Sequence, residues 1–441
     1  MSPGPEVERL ALDAAQRTLD VHQELKAKVH RRLVDTLDLA QAQKLPEEEL
    51  RAECSRRVDQ LLSEERAPLT GDAKRRLVRE VMDEIFGLGP LEELRRDTTV
   101  SDILVNGPDQ VYVERMGTLQ KVATRFRDEA HLMQVIRRIA SKVGRRVDES
   151  SPMLDARLSD GSRVNVIIPP LALQGPVMSI RQFAVVAITA EQLVDLGSAN
   201  ADMLRFLEAA VRSKLNVVIS GGTGSGKTTL LNVLSRWIPD NERVVTIEDA
   251  AELQLQREHV VSLETRPPNT ENRGEIVQRD LLRNSLRMRP DRIIIGEVRG
   301  GETLDMLQAM NTGHEGSMTT IHANSPRDAL RRIENMANMA GFNYPVHVIR
   351  DQMSSTLDLV VQVARVTGGR RKLTSIVEVQ GMEGEVVLTQ ELFRFHQVGI
   401  DEDGHARGEF EACGVIPQFA SRLRAEGVDL PAQLFQRRKV V

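Results

Sequence analysis

Along the first 66 residues, apolar positions return at a helical interval. Val21, Leu25, Val29, Leu33 and Leu37 lie four apart, which lays one stripe along one helix face. Pro46 ends that helix. The pattern then predicts a second helix over 47–65 and a third over 71–86. These helices either pack on each other as a small bundle or form a docking arm for a partner or neighbouring subunit. Periodicity alone does not separate the two. Gly87, Gly89 and Pro90 mark a change of texture. Beyond them Ile103-Leu104-Val105 and Val111-Tyr112-Val113 read as strands around the turn Asn106-Gly107-Pro108. A helix follows over 129–143. Ala156 to Leu158 and Val164 to Ile168 read as strands around Ser159-Asp160-Gly161. This α+β stretch ends in the stiff, turn-rich Pro169, Pro170, Gly175 and Pro176, and 184–198 reads as a linker.

From Ala199 onward short β runs alternate with helices. Asn216 to Ile219, Arg243 to Ile247, Val260 to Leu263 and Arg292 to Ile295 are continuous apolar or β-branched runs. Such runs suit strands buried on both faces of a largely parallel sheet. A further strand is expected over 386–395, before a polar end. The expected fold is therefore α/β, with 1–86 helical, 87–183 a smaller α+β domain, 184–198 a linker and 199–441 the main α/β domain with its C-terminal extension.

Composition narrows the functions available. The chain has 441 residues, 41% hydrophobic and 28% charged, with mixed signs. That is a globular balance rather than a disordered or collagen-like one. The net charge of −5 and the 3% aromatic content oppose direct nucleic-acid binding, which wants a basic face and stacking surfaces. Cys54 and Cys413 lie far apart, so neither a disulfide framework nor a cysteine zinc site is expected. The opening MSPGPEVERLALDAAQ lacks the basic and apolar regions of a signal peptide, and no run of about 18 apolar residues exists. A cytoplasmic chain is expected, with any membrane role exercised through a partner.

The chemistry concentrates after the first buried run. Gly221, Gly222, Thr223, Gly224, Ser225, Gly226, Lys227 and Thr228 read GGTGSGKT, followed by Thr229. Glycines let successive N–H groups turn toward phosphate oxygens, Lys227 adds a point charge on the terminal phosphates, and the Thr228 hydroxyl suits Mg²⁺. A strand before the motif and an apolar helix after it complete a phosphate cradle, with the helix N-terminus aimed at the anion. ATP and Mg²⁺ are the expected ligands. Hydrolysis also needs carboxylates. Glu248 and Asp249 follow one apolar strand, with Glu252 close behind, and Glu297 follows another in RPDRIIIGEVRG. There Gly296 stands where an Asp is usual, so metal duty falls on Glu297, through water. His314 and His322 sit in a second polar stretch, and a strand ending at His322 would present its imidazole to the γ-phosphate. Arg157, Arg163, Arg181 and Arg266 are candidates to neutralise charge on the transferred group.

These elements together resemble the secretion ATPase superfamily of type II and type IV machines. The shared features are the Gly221–Thr228 cradle, an acidic box at 246–253, a Gly-Glu strand at 293–297 and a histidine box at 313–323. The wording RMRPDRIIIGEVRGGE and MLQAMNTGHEGSMTTIHANSPRDAL is most similar to the CpaF/TadA branch, which serves Flp (Tad) pili. The C-x-x-C pairs of some pilus-extension ATPases are absent. The resemblance implies a RecA-like motor domain behind a smaller α+β domain. It also implies a homohexamer at the cytoplasmic face of the inner membrane, acting on a polytopic platform protein. Glu248 or Glu297 would orient the attacking water, and Arg157, Arg163, Arg181 and Arg266 occupy positions that match family arginines. A type IV secretion ATPase moving protein or DNA–protein substrates shares all four boxes. A RecA-like nucleic-acid motor and a non-catalytic nucleotide-binding scaffold are the more distant alternatives.

Overall fold

The computed structural model describes residues 25–33, 35–36, 46–65, 70–115, 117–183, 188–268, 273–342, 344–437 and 439–440. Val21 and Leu37 of the first apolar stripe lie outside them. The chain divides into two compact units, Met1–Phe183 and Ala184–Val441.

In the first unit the helical stretch 25–33 packs with helices Glu47–Glu64 and Gly71–Phe86. Val29, Leu33, Val58, Leu61, Leu77 and Val81 form their shared core, so the described part of this region is a bundle. The Thr70 hydroxyl accepts the Ala73 N–H at 3.3 Å and starts the third helix. The bundle belongs to the same compact unit as the α+β part, and no division falls at residue 86.

Six antiparallel strands follow: β1 (Val100–Asn106), β2 (Val111–Arg115), β3 (Thr118–Lys121), β4 (Met153–Arg157), β5 (Arg163–Ile167) and β6 (Val177–Arg181). Their spatial order is β3-β2-β1-β6-β5-β4. Helix Glu129–Lys142, capped by Asp128, buries Leu132, Val135, Ile136 and Ile139 against Ile103, Val105, Val164, Val166 and Ile180. Proline-rich flanks made 169–183 look like an exit. Instead β6 is a central strand, pairing β1 on one side and β5 on the other.

The second unit is built on a ten-stranded sheet. Its strands are β7 (Val217–Gly221), β8 (Val244–Glu248), β9 (Val260–Glu264), β10 (Arg292–Ile295), β11 (Met318–Ile321), β12 (Leu359–Arg365), β13 (Arg371–Glu383), β14 (Val386–Ile400), β15 (Ala406–Ala412) and β16 (Lys439–Val440). The order is β16-β15-β14-β13-β12-β7-β11-β10-β8-β9. From β9 across to β12 every pairing is parallel. From β12 to β16 every pairing is antiparallel. Strands β7, β8, β10 and β11 are buried throughout because both faces are covered. Val217 and Ile219 face helices Ala201–Arg212 and Lys227–Ser235, through Phe206, Leu207, Leu231 and Leu234. The alternate residue Val218 faces the other side. There Leu304, Leu307, Ile333 and Ile349 come from helices Glu302–Met310, Pro326–Asn338 and Val346–Thr356. The expected α/β class, with a smaller α+β domain and N-terminal helices before it, is the observed one.

Three expectations change. Strand β9 is half-exposed because it is the sheet's edge. The segment read as a linker contains helix Ala190–Asp195, whose buried Leu193 joins the main core. The polar end continues β14 and adds β15, β16 and the short turn Ala432–Phe435, and Phe393 of β14 and Phe435 of that turn pack their rings on Phe206 at 5.4 and 5.8 Å. The few aromatics are thus spent on a core.

Arg292 opens β10 fully buried, forked onto Glu242 through Nε and, at 3.3 Å, through Nη2, while Nη1 donates to the Val211 carbonyl at 2.6 Å. A desolvated guanidinium left without its carboxylate is costly. Glu242→Ala should therefore destabilise the chain by about 3–5 kcal/mol, read as a lowered midpoint in urea unfolding. A change under about 1 kcal/mol would show that the pair holds little.

Candidate functional site

The C-terminal edge of the parallel strands carries the chemistry. Strand β7 runs straight into the glycine loop, and helix Lys227–Ser235 starts at once behind it. Gly224 and Gly226 take φ of +67° and +97°, in the left-handed region that favours glycine. Gly221 needs glycine for space, since a Cβ there would collide with the Val363 carbonyl and the Ser225 side chain. At Gly222 and Gly224 a Cβ would stand in open space. The Ser225 hydroxyl donates to the Gly222 carbonyl at 2.8 Å and fixes the loop. Thr228 and Thr229 are half-buried in the first turn of the helix.

Lys227 is 8% exposed, and among the described residues no carboxylate is hydrogen-bonded to it. Its Nζ donates to the carbonyls of Gly221 at 3.1 Å and Gly222 at 3.0 Å, and lies 3.2 Å from Nε2 of His322. Burial lowers its pKa, partly offset by Glu297. His322 follows β11, beside β7, and its Nε2 is also 3.1 Å from Oε1 of Glu297. Burial and then Lys227 hold the imidazole pKa below its usual value, so it is neutral at pH 7. One neutral ring nitrogen cannot serve both neighbours. Protonated, Nε2 donates to Glu297; bare, it accepts from Lys227. Glu297 also takes Arg299 Nη2 at 2.8 Å, and Nη1 of the same arginine lies 3.4 Å from Asp249. Arg299 is a site residue that sequence reasoning passed over, although it stands two places after Glu297 in the motif already singled out.

Glu248 ends β8, beside β10, and is 4% exposed. Its Oε1 accepts the N–H groups of Glu252 at 2.9 Å and Leu253 at 3.0 Å, so the acidic box curls around the carboxyl. Burial raises its pKa to about 7, against those two hydrogen bonds. Gly296 explains the missing aspartate. A Cβ there would stand 2.9 Å from Cγ of Glu248, so the small residue makes room for the large acid beside it.

Two other candidates of this unit are not gathered here. His314 precedes β11, so it lies at the opposite edge of the sheet, with Nδ1 3.3 Å from the Ala309 carbonyl. A strand presents its two ends to opposite edges, so β11 brings His322 but not His314 to the cradle edge. Arg266 lies beyond edge strand β9, with Nε on the Gly274 carbonyl at 2.7 Å. Arg157, Arg163 and Arg181 belong to the first compact unit. Arg157 stands over the Phe183 ring, Arg163 lies 3.6 Å from Asp155, and Arg181 lies 3.2 Å from Asp102. A second residue without a sequence signal is Arg371 at the start of β13, whose Nε donates to the Gly224 carbonyl at 2.9 Å.

Comparison with known proteins identifies the chain's relatives. A family profile described as Type II/IV secretion system protein matches residues 84–402. A Mycobacterium tuberculosis protein named for conjugal transfer is 36% identical over 315 residues, covering 70% of this chain and 89% of its own length. The conjugal transfer protein TrbB of Rhizobium radiobacter is 34% identical over 335 residues, covering 75% and 97%. The structure of the VirB11 ATPase from the Brucella suis type IV secretion system aligns at 29% identity and a TM-score of 0.37, over 67% of this chain and 97% of that one.

Glu248 binds its proton more tightly folded than unfolded. Its contribution to stability therefore falls as pH rises from about 4.5 toward about 7. Glu248→Gln should stabilise the chain at pH 8 by on the order of 2 kcal/mol and change little at pH 4.5. Urea unfolding at the two pH values tests this, and an equal loss at both would show that the carboxyl is not held against its burial.

Proposed function

The chain belongs to the Type II/IV secretion system protein family, and from that premise we propose that it is a homohexameric, ATP-hydrolysing motor that assembles or withdraws Flp/Tad-type pili. It would act at the cytoplasmic face of the inner membrane, through a polytopic platform protein. Among the described residues no helix is long and apolar enough to cross a membrane. The supporting observation is the buried Lys227, held among the described residues by carbonyls and His322 within a glycine loop.

The residues present fit Mg-ATP. The loop N–H groups and Lys227 would hold the β- and γ-phosphates, and the Thr228 hydroxyl with Glu297, through water, would hold the metal. Bound there, magnesium neutralises charge on the phosphate oxygens. The phosphates would draw Nζ away from Gly221, Gly222 and His322. Freed of that neighbour, Nε2 of His322 keeps its proton toward Glu297 and fixes that carboxylate. Glu248, with a pKa of about 7, is poised to orient and deprotonate water near neutral pH. Arg157, Arg163, Arg181 and Arg266 would supply positive charge to the γ-phosphate from the first domain or from a neighbouring subunit. Differential contact with tri- and diphosphate would then drive domain movement.

A second reading is a type IV secretion ATPase moving protein or DNA–protein substrates. The relatives named for conjugal transfer favour it. Both readings share the motor, so one experiment serves both. Cells lacking the chain should lose surface pili on the first reading and conjugative transfer on the second.

Lys227→Ala should reduce ATP turnover at least about 100-fold with an unchanged circular dichroism spectrum. Turnover near the unaltered rate would refute the site. Arg163→Ala should lower turnover while ATP affinity persists. Unchanged turnover would remove that arginine from the clamp.

A further inference from the structure

A second polar cavity lies in the first unit, where the stretch 25–33 meets the loop before helix Glu129–Lys142 and the helix itself. Its volume is about 280 Å³, on the order of nine waters at ~30 Å³ each in the liquid. Lys26 and His30 enter from the first helical stretch, Arg125 and Arg127 from the loop, and Arg138 from the long helix. The acids on its wall are Glu84 and Asp109.

Glu84 does not cancel this charge by itself. It is 9% exposed, Lys26 lies 2.7 Å from one of its oxygens, and Nε2 of His131 lies 2.8 Å from the other. His131 in turn accepts the Arg127 N–H through Nδ1 at 3.3 Å, so both ring nitrogens are engaged and Nε2 is the donor to Glu84. The lining carries the four cations Lys26, Arg125, Arg127 and Arg138 against Glu84 and Asp109, and Asp128 beside it takes Arg127 Nε at 3.2 Å. Arg138 spends Nη1 on the Gly87 carbonyl at 2.7 Å, and burial lowers its pKa. Burial likewise lowers the pKa of His30. Arg125, on the rim, makes no hydrogen bond or ion pair among the described residues. Four cations facing three acids, with Arg138 half-buried and Arg125 and Arg127 exposed at the mouth, leave an excess of positive charge that suits an anion.

We propose that this cavity binds a small phosphate-bearing anion, which bridges Lys26 and His30 of the first helical stretch to Arg125, Arg127 and Arg138. The site lies wholly within residues 26–138 and uses none of the cradle residues at 221–229. Its occupation ties the N-terminal helix to the α+β domain through charge rather than through apolar packing. Affinity should therefore fall with added salt.

Inorganic pyrophosphate is the probe, titrated calorimetrically into the full chain carrying Lys227→Ala in metal-free buffer, so that the nucleotide cradle does not contribute. Saturable binding of one pyrophosphate per chain is expected. Adding Arg125→Gln, an exposed position whose loss does not threaten the fold, should weaken it by about tenfold or more, the loss of one charge-assisted contact. Arg125→Lys should retain most of the affinity. Amide exchange across 25–33 should slow when pyrophosphate is present. Absence of saturable binding would overturn the proposal. So would binding that Arg125→Gln and Arg127→Gln leave unchanged, which would place the anion elsewhere. Because the cradle is disabled throughout, neither result bears on whether the chain hydrolyses ATP.

Discussion

A buried ammonium held by carbonyls and His322, with no hydrogen-bonded carboxylate among the described residues, is the constraint on which the second unit turns. Lys227 sits at a helix N-terminus, where the backbone dipole already disfavours a cation. Burial, which strips water from the ammonium, lowers its pKa as well. Such a charge is stable only beside an anion, and the open face of the glycine loop is the place the geometry leaves for one. The surrounding parts follow from that demand. Gly224 and Gly226 bend the loop, Ser225 fixes it, and His322 and Glu297 stand within one hydrogen-bond length of each other.

The parallel sheet delivers these groups to one edge by topology. β7, β8, β10 and β11 are neighbours that all run the same way, so Gly221, Glu248, Glu297 and His322, at or just beyond their C-terminal ends, emerge together. The two carboxylates are placed in different surroundings. Glu248 is buried under the acidic box, which raises its pKa, whereas Glu297 meets His322 and Arg299. That divergence suits one acid to handling a proton and the other to holding a cation.

The cradle was legible in the sequence because its chemistry is local: spacing, glycine freedom and the flanking strand and helix lie within a dozen residues. The core of the α/β unit was legible for a related reason, since runs such as Ile293-Ile294-Ile295 are apolar on both faces only in a covered sheet. What escaped depends on distance. β6 is flanked by Pro176 and looks like an exit until β1 and β5 close on it. Strands β13 to β16 carry polar residues because they extend the sheet toward its margin. Arg371 touches Gly224 across 147 positions, and no local pattern announces such a pair. His314 and His322 look equivalent in sequence, yet the four residues of β11 carry them to opposite edges.

The most direct test is a structure of the full chain with Mg²⁺ and a non-hydrolysable ATP analogue. The account predicts that Lys227 Nζ leaves the carbonyls of Gly221 and Gly222 for the β- and γ-phosphate oxygens, while Nε2 of His322 stays on Glu297. A bound analogue with Nζ still on those two carbonyls, or with its phosphates away from the glycine loop, would contradict it.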